Sequence, residues 1–385
     1  MSRTAVLSLG TSDWNYPYWT SRQFLMYELA AYCDVIYATD RHDIRAVLKR
    51  PFGAARRSSA PFPAPSNLRV LKPVWPRIYR YKTIDNLFQS AYVGRLQRSL
   101  AASGARRLVA YVWNPIHVEA LKRLKVDVVV YHPYDMFRHF VGSDEDVVRR
   151  EEEICGLADL VITPHRRVAE ALGHPNTHVI NNGVFLPAFP DISTITATPK
   201  LSKRTGPVVG YVGAINDKVD FSVLCGIFSS KPDWTLVMVG FEGGGNWKQS
   251  RDYQELSKLD NVTFLDGVPI NALAPIIAAF NVGIIPYALT GWAAFSESPL
   301  KLYQYWAMGV PIVCSRLPSL SREPGMLEIA GSVGEWQEAI ERQLHFGDAA
   351  SRKTLRAKAM ENSWAAKAKT IFDLIEAYEV RAEAC

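Results

Sequence analysis

Short, continuous apolar runs alternate with stretches of helical period along nearly the whole chain, and this alternation restricts the fold more than any other feature. Residues 4–9, 34–38, 108–112, 126–131 and 160–163 read as strands in the first half, and 208–212, 235–239, 262–265, 282–285 and 311–314 in the second. Runs that are apolar at every position, rather than at alternate ones, suit parallel strands buried on both faces. Stretches such as 21–32, 144–156, 271–280 and 300–308 carry helical spacing between them. A βαβα order gives a doubly wound α/β sheet, and 385 residues give room for two in series.

Residues 186–206 are rich in Pro, Thr and Ser, lack a helical period and read as a connector. The expected organisation is a first domain at 1–190, a linker at 191–206, a second domain at 207–362 and a closing helix within 363–385. The segment 49–76, rich in Pro, Ala and Arg, reads as a long loop or short-helix insertion. Ligands of doubly wound sheets bind beyond the carboxyl ends of the strands, so the loops following the strands are where a site is expected.

Hydrophobic residues make up 48% and charged residues 21%, which excludes a wholly disordered chain. The 5 Cys are scattered and form no CxxC pair, which argues against a disulfide framework or a Cys-based zinc site and fits a reducing, cytoplasmic compartment. The apolar run at the N-terminus is too short for a signal peptide, and 273–289 is broken by Pro275, Asn281 and Pro286, so no spanning helix is expected. The net charge of +6 is uneven. Residues 1–200 hold 26 Lys+Arg against 18 Asp+Glu (+8), and residues 201–385 hold 18 against 20 (−2). Residues 41–100 alone hold 13 basic and 2 acidic side chains (+11), with Trp75, Tyr79 and Tyr81 interleaved among Arg77, Arg80 and Lys82. Such a mixture suits an anionic membrane surface, or else a plain solvated face. No nucleic-acid-binding pattern accompanies it, so no nucleic acid is expected as partner.

The segment 296–314, Ser-Glu-Ser-Pro-Leu-Lys-Leu-Tyr-Gln-Tyr-Trp-Ala-Met-Gly-Val-Pro-Ile-Val-Cys, carries the most chemistry. Ser296 or Ser298 can cap a helix with Pro299 in its first turn, and Gly309 ends it before a strand. The free N–H groups and positive dipole end of a helix start suit a phosphate. Leu300 and Lys301 stand at that start, and Gln304 follows one turn later on the same face. The same pattern also describes an ordinary amphipathic helix. Gly213-Ala214-Ile215, after the strand at 208–212, lets the backbone approach a ligand closely, which adds Gly213 and Ile215 to the candidates. Neither this turn nor 240–245 is GxGxxG with a downstream acid, which argues against a nicotinamide-linked oxidoreductase. No acidic pair stands at a strand end, so no metal is expected; Lys301 and the helix dipole would offset a diphosphate's charge instead. In the loop 12–23, Asp13, Trp14, Tyr16, Trp19 and Arg22 combine aromatic faces with hydrogen-bonding groups suited to sugar rings. The loop could equally be rigid and self-packed.

The segment 296–314 resembles the C-terminal nucleotide-sugar helix of GT-B glycosyltransferases, whose usual form is P-L-K-L-x-E-Y-x-A-x-G-x-P-V-V. Residues 208–213, 234–240 and 261–267 resemble strands of that family's second domain, 182–184 its N-G-V ahead of the linker, and 362–364 the start of its closing helix, which crosses back onto the N-terminal domain. The resemblance implies the GT-B fold: two doubly wound, Rossmann-like parallel-sheet domains facing across a cleft. The large retaining branch carries two Glu separated by seven residues; those positions here are Ser296 and Gln304, with Glu297 one place off. The helix is more similar to that of the xanthan glucuronosyltransferase, an inverting enzyme. That likeness implies diphosphate contacts for Lys301 and Gln304, base stacking for Tyr287, and a catalytic base at Asp135. An inverting transfer needs one carboxylate to take the acceptor's hydroxyl proton. Asp135 also suits a helix cap or turn former, and His132 is a second candidate base.

The resulting reading is a glycosyltransferase of the hexosyltransferase type. It moves a sugar from a UDP-linked nucleotide-diphosphate sugar, the co-substrate and no further cofactor, to a glycan or lipid-linked acceptor in bacterial polysaccharide assembly. The alternatives are a retaining transferase using Glu297, a nucleotide-sugar epimerase or hydrolase, and a non-catalytic donor-binding partner of a synthase.

Overall fold

The computed structural model describes residues 4–41, 59–72, 81–139, 145–196, 198, 206–289, 298–346 and 348–378. The chain divides into two compact units, Met1–Asn181 with Trp364–Cys385, and Asn182–Ser363.

The first unit holds β1 (Thr4–Gly10), β2 (Asp34–Thr39), β3 (Leu68–Leu71), β4 (Arg107–Val112), β5 (Val128–Tyr131), β6 (Leu160–Thr163) and β7 (Thr177–Val179) in the order β3-β2-β1-β4-β5-β6-β7. Every pairing is parallel. β1 and β6 are buried at every position, as their unbroken apolar runs require of strands covered on both faces. Strand order reverses between β1 and β4. The loops after those strands therefore run in opposite directions and leave a crevice at the carboxyl edge. The helix Trp364–Ala377 belongs to this unit. Its Phe372 stacks on Tyr32 with ring centroids 5.5 Å apart, and Thr4 Oγ1 donates to Glu376 at 2.6 Å.

The second unit holds β8 (Val208–Val212), β9 (Thr235–Gly240), β10 (Val262–Asp266), β11 (Val282–Ile285), β12 (Ile312–Ser315) and β13 (Leu327–Ala330) in the order β10-β9-β8-β11-β12-β13, again all parallel. The reversal lies between β8 and β11. The helix Leu300–Ala307 precedes β12, and Tyr305 seats it. The buried hydroxyl of Tyr305 accepts the Val212 N–H at 2.9 Å. Its ring lies against Gly283 of β11, where a Cβ would stand only 2.6 Å from it. Lys301, four residues earlier, is carried by the same helix face to the carboxyl end of β8.

Several elements differ from the reading of the sequence. Leu68–Leu71 forms an edge strand inside the expected loop, and Lys82–Ala101 is a 20-residue helix that the sequence reading did not delineate. Residues 271–280 form two short turns, Ile270–Ala272 and Ala274–Ile277, rather than one helix. The second unit begins at Asn182, ahead of the expected boundary at 190. Val184 pairs with Ser363, and Arg356 bonds the carbonyls of Phe189, Pro190 and Ala307, so residues 182–190 pack with the second unit. Arg41, counted within the basic stretch, is 4% exposed and pairs with Asp85 at 3.0 Å.

Candidate functional site

The loops after β8 and β11 are stitched together at the carboxyl edge of the second sheet. Asp220 N–H donates to the Pro286 carbonyl and Ala288 N–H to the Lys218 carbonyl, both at 2.8 Å, and Val219 pairs with Tyr287. Gly213 opens the first of these loops at φ +128°, a conformation that L side chains rarely adopt. A Cβ there would also stand 2.9 Å from the Lys301 ammonium and push that flexible tip aside; the backbone angle is what requires glycine.

Lys301 is 7% exposed. Its Nζ lies 3.6 Å from the Tyr211 ring centroid and 5.1 Å from that of Tyr287. Among the described residues no carboxylate pairs with it. Burial and the neighbouring Lys218 charge hold its pKa well below the ordinary lysine value, with Cys314 opposing them. A buried ammonium without an anion is unfavourable by itself, and a bound anion would reverse that cost. The helix start adds to the same field. Pro299 occupies the N-cap position and no side chain caps the helix. The structure corrects the capping role expected of Ser298. Its hydroxyl accepts the Asn182 N–H at 3.1 Å, while the Asn182 amide donates to the Ser298 carbonyl at 2.6 Å. Among the described residues nothing accepts from the first-turn N–H groups of Leu300 and Lys301, which suits them to a ligand.

Lys218 is a cation that the sequence reading missed. Its Nζ lies 5.8 Å from the Tyr287 ring centroid, and the only signal in the sequence was a lysine five residues after a Gly turn. Ile215 is 4% exposed. Its N–H donates to Phe241 at 3.0 Å and its carbonyl accepts from Gly243 at 2.8 Å, so it continues the β8–β9 ladder. Both of its backbone groups are thus engaged within the second sheet. Tyr287 is 9% exposed, its ring set beside two ammonium groups rather than open as a platform. Gln304 is also buried, and it shares no side-chain hydrogen bond with this cluster among the described residues. Ser296 and Glu297 lie outside the described residues.

In the first unit, the loop after β1 is largely self-packed. Trp14 and Trp19 are 2% and 4% exposed, their ring centroids 4.6 Å apart, and Trp19 Nε1 donates to the Trp14 carbonyl at 2.9 Å. Both rings are packed within the loop, as the self-packed alternative for this segment describes. Tyr16 remains 42% exposed. Asp13 Oδ1 accepts the Asn15 N–H at 2.9 Å and closes the turn. Arg22 donates from Nε to Ser12 Oγ at 3.0 Å and lies 4.0 Å over the Tyr134 ring. The Tyr134 hydroxyl accepts from Asn114 at 3.2 Å, so loops after β1, β4 and β5 meet there. Asp135 follows Tyr134, half-buried, with Oδ1 accepting the Met136 N–H at 2.9 Å. His132 is stacked on Trp113 at 4.7 Å with Nδ1 2.7 Å from the Tyr111 hydroxyl. Burial lowers its pKa to about 3, which makes it a neutral interior group. Among the described residues no group of three His, Cys, Asp or Glu is placed to hold a metal ion.

Residues 206–345 match the family model described as Glycosyl transferases group 1, so the second unit carries a glycosyltransferase domain of that group. The two Rossmann-like parallel sheets have the GT-B fold. Among curated proteins, the chain is similar to TuaH of Bacillus subtilis, named as a teichuronic acid biosynthesis glycosyltransferase. The identity is 29% over 180 residues, 46% of this chain, and the match spans 43% of that relative's length. Among solved structures, sucrose-phosphate synthase from Thermosynechococcus elongatus superposes with a TM-score of 0.68 and 17% identity over 97% of this chain and 98% of the other. Anabaena HepE, in complex with UDP and glucose, superposes with a TM-score of 0.66 and 15% identity over 97% and 99%.

Proposed function

We propose that this protein is an inverting glycosyltransferase that takes a sugar from a UDP-linked donor and passes it to a glycan or lipid-linked acceptor in bacterial surface-polysaccharide assembly. The observation that carries this reading is the buried Lys301 ammonium, lacking a carboxylate among the described residues, at an uncapped helix start in a group 1 glycosyltransferase domain. A diphosphate supplies the anion such a site lacks. As the bond from the anomeric carbon to the diphosphate breaks, the negative charge left on the leaving group is met by Lys301 and the first-turn N–H groups. Asp135 takes the acceptor hydroxyl proton as that oxygen attacks from the opposite face. Tyr16 and Arg22 are the remaining acceptor-side candidates, and Asp13 shapes their loop. UDP binding by a structural relative and the polysaccharide role in the name of TuaH support the donor and the setting.

A thermal-shift screen of UDP-, GDP- and dTDP-sugars tests the donor. At a concentration 100-fold above Kd, a ligand specific for the folded state adds about 2.7 kcal/mol of stability. A UDP-sugar should therefore raise Tm by several degrees. Equal shifts with all three nucleotide classes, or none, would remove the UDP assignment.

The acceptor setting predicts membrane association through residues 41–100. In its described part, Tyr81, Ile84 and Leu87 are 55%, 45% and 68% exposed at the start of the helix Lys82–Ala101; Trp75, Arg77, Tyr79 and Arg80 lie outside the described residues. No described helix is long and apolar enough to cross a membrane. Each basic side chain near an anionic surface contributes about 1 kcal/mol, and salt screens it. Liposome co-sedimentation should rise with anionic lipid and fall with salt; equal binding to neutral vesicles would argue against this role.

A further inference from the structure

Among the described residues, the ammonium of Lys301 meets aromatic faces and no acid. We infer that Tyr211 is a positioning residue for donor binding: its ring fixes the Lys301 charge where the diphosphate meets it, without neutralising that charge. The inference rests on the reading of Lys301 as a diphosphate contact. Tyr211 is the last residue but one of β8 and is 1% exposed, and among the described residues its ring centroid is the closest aromatic centre to Nζ, at 3.6 Å. Its hydroxyl donates to the Ala214 carbonyl at 2.7 Å, so the same side chain also braces the turn at Gly213. The ring therefore cannot swing away without breaking that bond.

The physical reason for such an arrangement is a conflict of requirements. A buried lysine needs a partner to stay charged and ordered. A carboxylate would supply one, but it would cancel the field that attracts a diphosphate. A ring face attracts the cation through its quadrupole and carries no net charge. The cation is thus fixed and remains available to an anion. The described charged and titratable groups acting on Lys301 fit this account: Lys218 repels it, Cys314 is neutral in the interior because burial raises its pKa, and Tyr287 forms the second wall.

The test is UDP affinity by calorimetry in a mutant cycle. Tyr211→Phe keeps the ring and should bind UDP close to wild type. Tyr211→Leu removes the face and should weaken binding roughly 10–30-fold, the equivalent of a desolvated cation–π contact. In a Lys301→Met background, Tyr211→Leu should change affinity by less than about twofold, because residues acting through one another are not additive. Incorporation of pentafluorophenylalanine at 211 preserves the shape and reverses the ring's charge distribution; it should bind UDP more weakly than Tyr211→Phe, even if the Leu variant does not fold. Equal affinity of the Phe and pentafluorophenylalanine proteins, or full additivity of Tyr211→Leu with Lys301→Met, would overturn the inference while leaving the site. Unchanged UDP affinity in Lys301→Met alone would overturn the reading of the site on which it rests.

Discussion

Lys301→Met is expected to change function and stability in opposite directions. Loss of a charge-assisted contact worth about 1.5–3 kcal/mol should weaken UDP binding at least tenfold in calorimetry. The free protein should become more stable, because the variant replaces a 7% exposed ammonium, without a carboxylate among the described residues, by an apolar chain of similar length. Removing an uncompensated buried charge relieves its desolvation cost, and each kcal/mol gained raises the Tm of a unit of this size by roughly 2–4 °C. The pH dependence has a defined sign. The folded-state pKa of Lys301 lies below the ordinary 10.5, so between those two values the unfolded chain holds the proton more tightly and stability rises with pH. A bound diphosphate raises the pKa again, so binding takes up a proton and UDP affinity falls as pH rises across the same interval. The difference between wild type and Lys301→Met isolates this term from the ionisation of UDP itself. A variant that melts lower and binds UDP normally would make Lys301 a structural residue.

Asp135→Asn should lower kcat about 10²–10⁴-fold, the usual contribution of a general base, and leave UDP affinity near wild type, since Asp135 lies in the other unit. Asparagine keeps the oxygen that accepts the Met136 N–H at 2.9 Å but cannot take a proton at working pH. Lowered activity together with a lowered Tm would instead make the side chain a turn former. Near-normal turnover, or a product that keeps the donor's anomeric configuration, would move the chemistry to Glu297.

The central strands were legible because they are buried on both faces and so apolar at every position; β6, β8 and β11 were read to the residue. The strands missed, β3, β7 and β13, all lie at sheet edges. There one side meets solvent or a loop, the residues alternate or mix, and a short run such as Thr177–Val179 has no apolar signature. Lys82–Ala101 escaped for a related reason. Its first turns expose Ile84 and Leu87, so its apolar residues do not line one face.

The helix start at Leu300 was visible from Pro299, Lys301 and Gly309, since backbone geometry and capping are local properties. The roles of Trp14 and Trp19 were not, because an aromatic residue suits a sugar face and a core equally, and only packing decides which it meets. Sequence alone determined two parallel α/β sheets and a cation at a helix start, because periodicity and helix termination are set by neighbours along the chain. The tertiary structure decided that the cation is caged by Tyr211 and Tyr287 and has Lys218 as its neighbour. Those residues are brought together only by the reversal of strand order between β8 and β11, a relation between distant segments that no local pattern encodes.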